Sequence, residues 1–112
     1  MDLSAFKQSG VQIIRLKGKV ALGEAVDSFR DALEQALASG ENRVVVNLSE
    51  VSMVDSSGIG VLVRYHTLTK QAGGAIRLVN PAKFVMQSLK TVGVLALFEV
   101  LETEDAAIET FP

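Results

Sequence analysis

The spacing of apolar residues changes period several times along the chain, from the short β-branched runs of strands to the three-and-four spacing of amphipathic helices. Val11-Gln12-Ile13-Ile14-Arg15-Leu16-Lys17 is rich in β-branched residues and closes at Gly18, which predicts a strand, with a short partner strand near Ala5 to Gln8. From Glu24 to Ala38 the apolar positions Val26, Phe29, Leu33, Ala36 and Leu37 predict a first helix that Gly40 ends. Arg43 to Leu48 contains Val44-Val45-Val46, a run that suits a strand buried on both faces and therefore central in a sheet. After a short turn, Val61, Leu62, Tyr65, Leu68 and Ala72 mark a second helix stopped by Gly73-Gly74, and Ala75 to Val79 is a further strand. Asn80-Pro81 places a capping residue and a proline where a third helix would begin, with Phe84, Val85, Leu89 and Val92 as its apolar stripe. Phe98 to Leu101 reads as a last strand, and Thr103-Glu104-Asp105 opens a final helix with the carboxylates its positive end favours.

Strands that alternate with helices need crossover connections, so the predicted class is α/β: a mixed sheet of four to five strands with about four helices mainly on one face. A length of 112 residues suits one domain, 1–112, without a linker. Hydrophobic residues at 48% against 21% charged give enough apolar surface to offset the entropy of ordering the chain. The net charge of -2 is scattered, with no basic stripe to neutralise phosphates, so no nucleic-acid partner is expected. No apolar run reaches the ~18 residues that span a bilayer, so no membrane partner is expected, and Met1 to Gly10 lacks the pattern of an export signal. The absence of cysteine removes disulfides, thiolate zinc sites and cysteine nucleophiles, and suits a cytoplasmic location.

The most informative run is Asn47-Leu48-Ser49-Glu50-Val51-Ser52-Met53-Val54-Asp55-Ser56-Ser57-Gly58-Ile59-Gly60, which joins the central strand to the second helix. Asp55, Ser56 and Ser57 are all good N-cap residues, and whichever takes the cap leaves the others beside the free N–H groups of the first turn. A plain helix cap would use the same residues. Gly58 and Gly60 each cost about 1 kcal/mol against alanine in a helix, which points to close approach by another backbone. A partner is expected to contact Ala21, Leu22, Gly23 and Glu24 together with Asp55, Ser56, Ser57, Gly58, Ile59 and Gly60, because both segments fall at the same end of neighbouring strands.

From Asn47 to Val63, with its preceding strand and its Gly73-Gly74 stop, the chain resembles the STAS domain of anti-sigma-factor antagonists. Arg15-Leu-Lys-Gly18, Gly73-Gly74-Ala75-Ile76-Arg77-Leu78-Val79 and Val92-Gly93-Val94 resemble further family segments, so the likeness covers nearly the whole chain. It implies a non-enzymatic domain that binds an anti-sigma factor with serine-kinase activity, releases a sigma factor, and is switched off by phosphorylation of Ser56, with a phosphatase to reset it. The chain departs from the family at Ala21, where many members have an aspartate, so that acid's role falls to Glu24 or Asp55, or phosphate transfer is slower here. The rival reading within the family is a non-phosphorylated scaffold subunit of a transport or signalling assembly.

Other chemistries find little support. His66 is the only histidine, and it lies ten residues from Ser56, about 15 Å along one helix at 1.5 Å per residue, too far for a Ser-His pair. It reads as a partly exposed helix residue without a role. No close pair of acids can be placed across a cleft, and Glu102, Glu104, Asp105 and Glu109 read as a solvated face. Gly58-Ile-Gly60 lacks the third glycine of a dinucleotide fingerprint and no Gly-Lys-Ser/Thr is present, so neither a cofactor nor a metal is expected. A lone tyrosine and five phenylalanines give little aromatic surface for a permanent interface, and a monomer or weak dimer is expected.

Overall fold

The three valines of the central strand decide how the layers form. In the computed structural model, which describes residues 1–112, Val44 and Val46 point to one face of the sheet and Val45 to the other, and all three are fully buried. A strand buried on both faces needs cover on both. The elements run β1 (Asp2–Gln8), β2 (Val11–Val20), α1 (Glu24–Ala38), β3 (Arg43–Val54), α2 (Ser56–Gln71), β4 (Ala75–Val79), α3 (Lys83–Val92), a short 3-10 turn (Leu95–Leu97), β5 (Glu99–Leu101) and α4 (Glu104–Glu109). The strands lie in the order β1-β2-β3-β4-β5, with β1 antiparallel to β2 and the rest parallel, so the mixed sheet and the four helices are as the pattern predicts.

The larger core lies under α1, α2 and α3, where Val26, Phe29 and Leu33 of α1, Leu62 and Tyr65 of α2, and Val85 and Leu89 of α3 meet Ile14, Val46, Ile76 and Leu78 of the sheet. Each large apolar side chain buried this way contributes about 1.5–3 kcal/mol, which is why three helices stay on one face. On the opposite face Val11, Ile13, Val45 and Val79 are covered by Ala107 of the short α4, with Phe6, Ile108 and Phe111 around them.

Several elements differ from the expectation. β1 starts at Asp2 instead of Ala5, since its whole length pairs with β2. β3 does not end at Leu48 but continues to Val54, so most of the segment read as a turn is strand. Beyond Asn47 it has lost β4 as a neighbour and pairs with β2 alone, Lys17 to Glu50, Gly18 to Val51 and Val20 to Val54, while Val51 and Val54 face the core. Asn80 does not cap α3: its N–H donates to the Leu101 carbonyl at 2.8 Å, completing the pairing with β5, and the helix starts at Lys83 without a side-chain cap. Gly74 has the physical reason its position suggests, because a Cβ there would fall 1.8 Å from the Asn42 carbonyl oxygen. Glu104 is not on a solvated face. Its carboxylate accepts from Arg15 Nε and Nη2, both at 2.7 Å, and from Asn47 Nδ2 at 2.8 Å, pinning α4 across β2 and β3. Arg15 holds the Glu104 carboxyl below the usual range by that hydrogen bonding.

Candidate functional site

β2 and β3 end side by side at Val20 and Val54, and the chain leaves β3 into α2 through one residue, Asp55. Its extended backbone and short carboxylate suit the cap position. The Asp55 N–H donates to the Val20 carbonyl at 3.1 Å, which locks the turn to the end of β2. Oδ1 accepts from the Gly58 N–H at 2.9 Å and from the Ser57 hydroxyl at 2.6 Å, and Oδ2 accepts from the Leu22 N–H at 2.7 Å. These donors, the Ser57 hydroxyl first, hold the Asp55 carboxyl below the usual aspartate range despite some desolvation. One side chain therefore caps α2 and ties down the loop before α1.

The serine pair is divided by this arrangement. Ser57 is half-buried with its hydroxyl spent on Asp55, whereas Ser56, the first residue of α2, is exposed and takes no part in the hydrogen bonds around the cap. Of the other residues expected at a partner surface, Leu22, Gly23, Glu24 and Gly60 are exposed, Ala21 and Asp55 are intermediate, and Gly58 and Ile59 are buried. Leu22 is 81% exposed, an apolar side chain held out from the fold by a loop that Asp55 anchors. Gly58 packs inward: a Cβ there would meet Val54 Cγ1 at 2.8 Å and the Val20 carbonyl oxygen at 3.0 Å. The close approach that this glycine serves is internal. At Gly60 nothing lies within 4 Å, so its missing side chain leaves a flat exposed patch.

The helix after β4 adds a wall that the pattern did not assign to this site. Val85 and Leu89 of α3 are buried, but Phe84 and Val92, expected in the same stripe, are 63% and 57% exposed. They lie on a neighbouring face with Gln87, Ser88 and Thr91, and this face borders a groove of about 400 Å³ that Val54, Ser56 and Ile59 complete. The i, i+3, i+4, i+7, i+8 spacing of 84, 87, 88, 91 and 92 was available as a signal, masked by the inward stripe beside it.

His66 sits farther along α2 with its ring edge-on to Phe98, centroids 4.9 Å apart, and with Nδ1 buried and unpartnered. Burial and then the charge of Lys70 lower its pKa. It lies on the same unbroken helix as Ser56. Nowhere do three or more His, Cys, Asp or Glu side chains converge as metal ligands, and no helix is long and apolar enough to cross a membrane.

A five-stranded mixed sheet whose longest parallel strand leads through a capping aspartate into a helix opened by an exposed serine defines a small α/β domain that presents a helix terminus beside an adjoining loop. The chain belongs to the STAS domain family, whose model matches residues 3–107. It is similar to BtrV of Bordetella bronchiseptica, a candidate anti-sigma factor antagonist, with 27% identity over 111 residues that cover 99% of this chain and 95% of that one. It is also similar to the anti-sigma F factor antagonist of Paenibacillus polymyxa, with 26% identity over 100 residues covering 88% and 85% of the two chains. Among solved structures, the anti-sigma factor antagonist SpoIIAA in its unphosphorylated form superposes with a TM-score of 0.85 at 22% identity, over 97% of this chain and 95% of that one. At that identity the superposition speaks for the fold.

Proposed function

We propose that this chain is an anti-sigma-factor antagonist: it binds an anti-sigma factor with serine-kinase activity, frees a sigma factor from it, and is switched off when the kinase phosphorylates Ser56. The observation that carries this reading is the contrast at the serine pair, an exposed hydroxyl without a partner at Ser56 beside a Ser57 hydroxyl held by Asp55 at 2.6 Å. The names of the relatives in Bordetella and Paenibacillus support the partner class. The surface offered to that partner is Leu22 to Glu24 with Ser56 and Gly60. Inactivation follows from charge: a phosphate brings about -1.5 to -2 to the surface that the partner covers. A phosphatase is then needed to restore binding. The work of such a protein requires no cofactor and no catalytic group of its own.

The test is incubation with ATP and purified anti-sigma factor kinases from the same cell, followed by intact mass and peptide mapping. One phosphate on Ser56 and none on Ser57 is the expected result, with loss of complex formation by the phosphorylated chain. Phosphate on Ser57, or a complex indifferent to Ser56→Asp, would return the chain to the scaffold reading.

A further inference from the structure

Ser56 is exposed, at the border of a shallow groove. Its side chain borders the groove whose opposite wall is α3, with Val54 and Ile59 completing the lining between them. Phe84, 63% exposed, and Val92, 57% exposed, stand on that wall two turns apart. Single exposed apolar residues are ordinary on protein surfaces, but these two border the same groove as the phosphoacceptor. A kinase that transfers phosphate to Ser56 must bring its catalytic groups to this groove and therefore cover it.

We infer that the α3 wall, Phe84 with Val92, is the second half of the partner site and receives apolar side chains of the anti-sigma factor kinase. This rests on the function proposed above. The occupant is the kinase and not a second copy of the chain, because the groove is continuous with the residue the kinase modifies. The placement also gives the switch its physical means: a phosphate covered by the partner at this groove would lose hydration, and none of the lining residues, Gln87, Ser88 and Thr91 included, carries a counter-charge. Charge placed on an open polar surface would be far less disruptive.

The experiment uses whichever kinase phosphorylates the wild-type chain, with binding read by titration calorimetry and Ser56 phosphorylation followed against antagonist concentration. Phe84→Ser and Val92→Ser are compared with Phe84→Leu and with Leu97→Ser, an exposed apolar residue, 45% exposed, outside the groove. The first two should weaken binding about tenfold or more and raise KM with kcat little changed, as expected for apolar anchors at an interface, while the other two stay within about twofold of wild type. Urea midpoints accompany each variant, and since both wall residues are exposed, one that loses its fold leaves the other to decide. Wall variants that bind and accept phosphate like wild type overturn the inference and leave the function standing. Wild-type protein that takes no phosphate on Ser56 overturns the function, and the inference with it. A dimer that Phe84→Ser dissociates while kinase binding is unchanged assigns the wall to a second copy and overturns the inference alone.

Discussion

Two glycines of α2, separated by Ile59 alone, should respond to the same substitution with opposite signs. At Gly58 an alanine Cβ would lie 2.8 Å from Val54 Cγ1, 3.0 Å from the Val20 carbonyl oxygen and 3.1 Å from Val20 Cγ1. None of these neighbours yields easily. Valine is stiff at χ1, and the Val20 carbonyl is held by the Asp55 N–H at 3.1 Å. Overpacking of this kind costs about 1–3 kcal/mol, against a gain of up to about 1 kcal/mol for removing glycine from a helix, so Gly58→Ala should lose up to about 2 kcal/mol. At Gly60 nothing lies within 4 Å of the added carbon, so only the propensity term acts and Gly60→Ala should gain about 0.5–1 kcal/mol. In a chain of this size, at about 4 °C per kcal/mol, the two melting temperatures should separate by up to roughly 12 °C. Urea unfolding of both variants, with unchanged m-values, measures the difference directly. If Gly58→Ala proved as stable as Gly60→Ala, the first turn of α2 would not be seated on the ends of β2 and β3, and the placement of Ser56 argued here would fail with it.

Three further outcomes can be checked on the same material. Asp55→Ser keeps a cap for the Gly58 N–H but has one oxygen where Asp55 uses two, so α2 should stay folded within about 1 kcal/mol while the Leu22 amide exchanges faster with solvent; unchanged Leu22 exchange would mean that the loop is held by something else. Phosphate on Ser56 meets the positive end of α2, so the phosphorylated chain should melt no lower than the unmodified one, and a fall of several degrees would show that the switch works by local unfolding. His66 has a folded pKa below its ordinary value of about 6.5, so the unfolded chain binds the proton more readily; its contribution to stability is full above about pH 6.5 and is lost as pH falls from there through the lower folded pKa. Asp55 and Glu104 are lowered too and lose their contributions only below about pH 4.5, so His66→Gln should flatten the urea midpoint between pH 7 and pH 5 alone, and an identical slope in wild type and variant would refute the assignment.

What could be read from the sequence is what local chemistry decides. The Val44-Val45-Val46 run, the Gly73-Gly74 stop and the helical spacing from Val26 to Leu37 each impose one structure on their own segment, and each is found where expected. The second half of β3 could not be read this way. Ser49-Glu50 and Ser52 look like loop residues because beyond Asn47 the strand is paired only with β2, leaving these polar side chains exposed while Val51 and Val54 turn inward. The site divides similarly. Asp-Ser-Ser-Gly announces a helix start, but which residue caps is decided by the Leu22 N–H, which only the longer aspartate can reach while serving Gly58 as well. The inward packing of Gly58 depends on Val20, 38 residues earlier in the chain, and the groove that Phe84 borders is completed by Val54, Ser56 and Ile59, at least 25 residues earlier.

The commitments of Asp55 also bear on how Ser56 can react. A general base for its hydroxyl must have a free lone pair within reach and a proton affinity near the working pH. Asp55 is adjacent, but it accepts nothing from the Ser56 hydroxyl, and the three donors it does hold push its pKa away from that range. His66 is on the same helix, yet it is turned into Phe98, with Nδ1 buried and its protonated form disfavoured. Glu24 is exposed at the start of α1, and Ala21 supplies no acid at all. No base of the chain is engaged to the exposed Ser56 hydroxyl, so under the proposed function its activation would have to come from the docked kinase. Asp55, Val20 and Gly58 fix the first turn of α2 to the ends of β2 and β3, and none of them engages the Ser56 hydroxyl, which is what the proposed function asks of a residue that another molecule must activate.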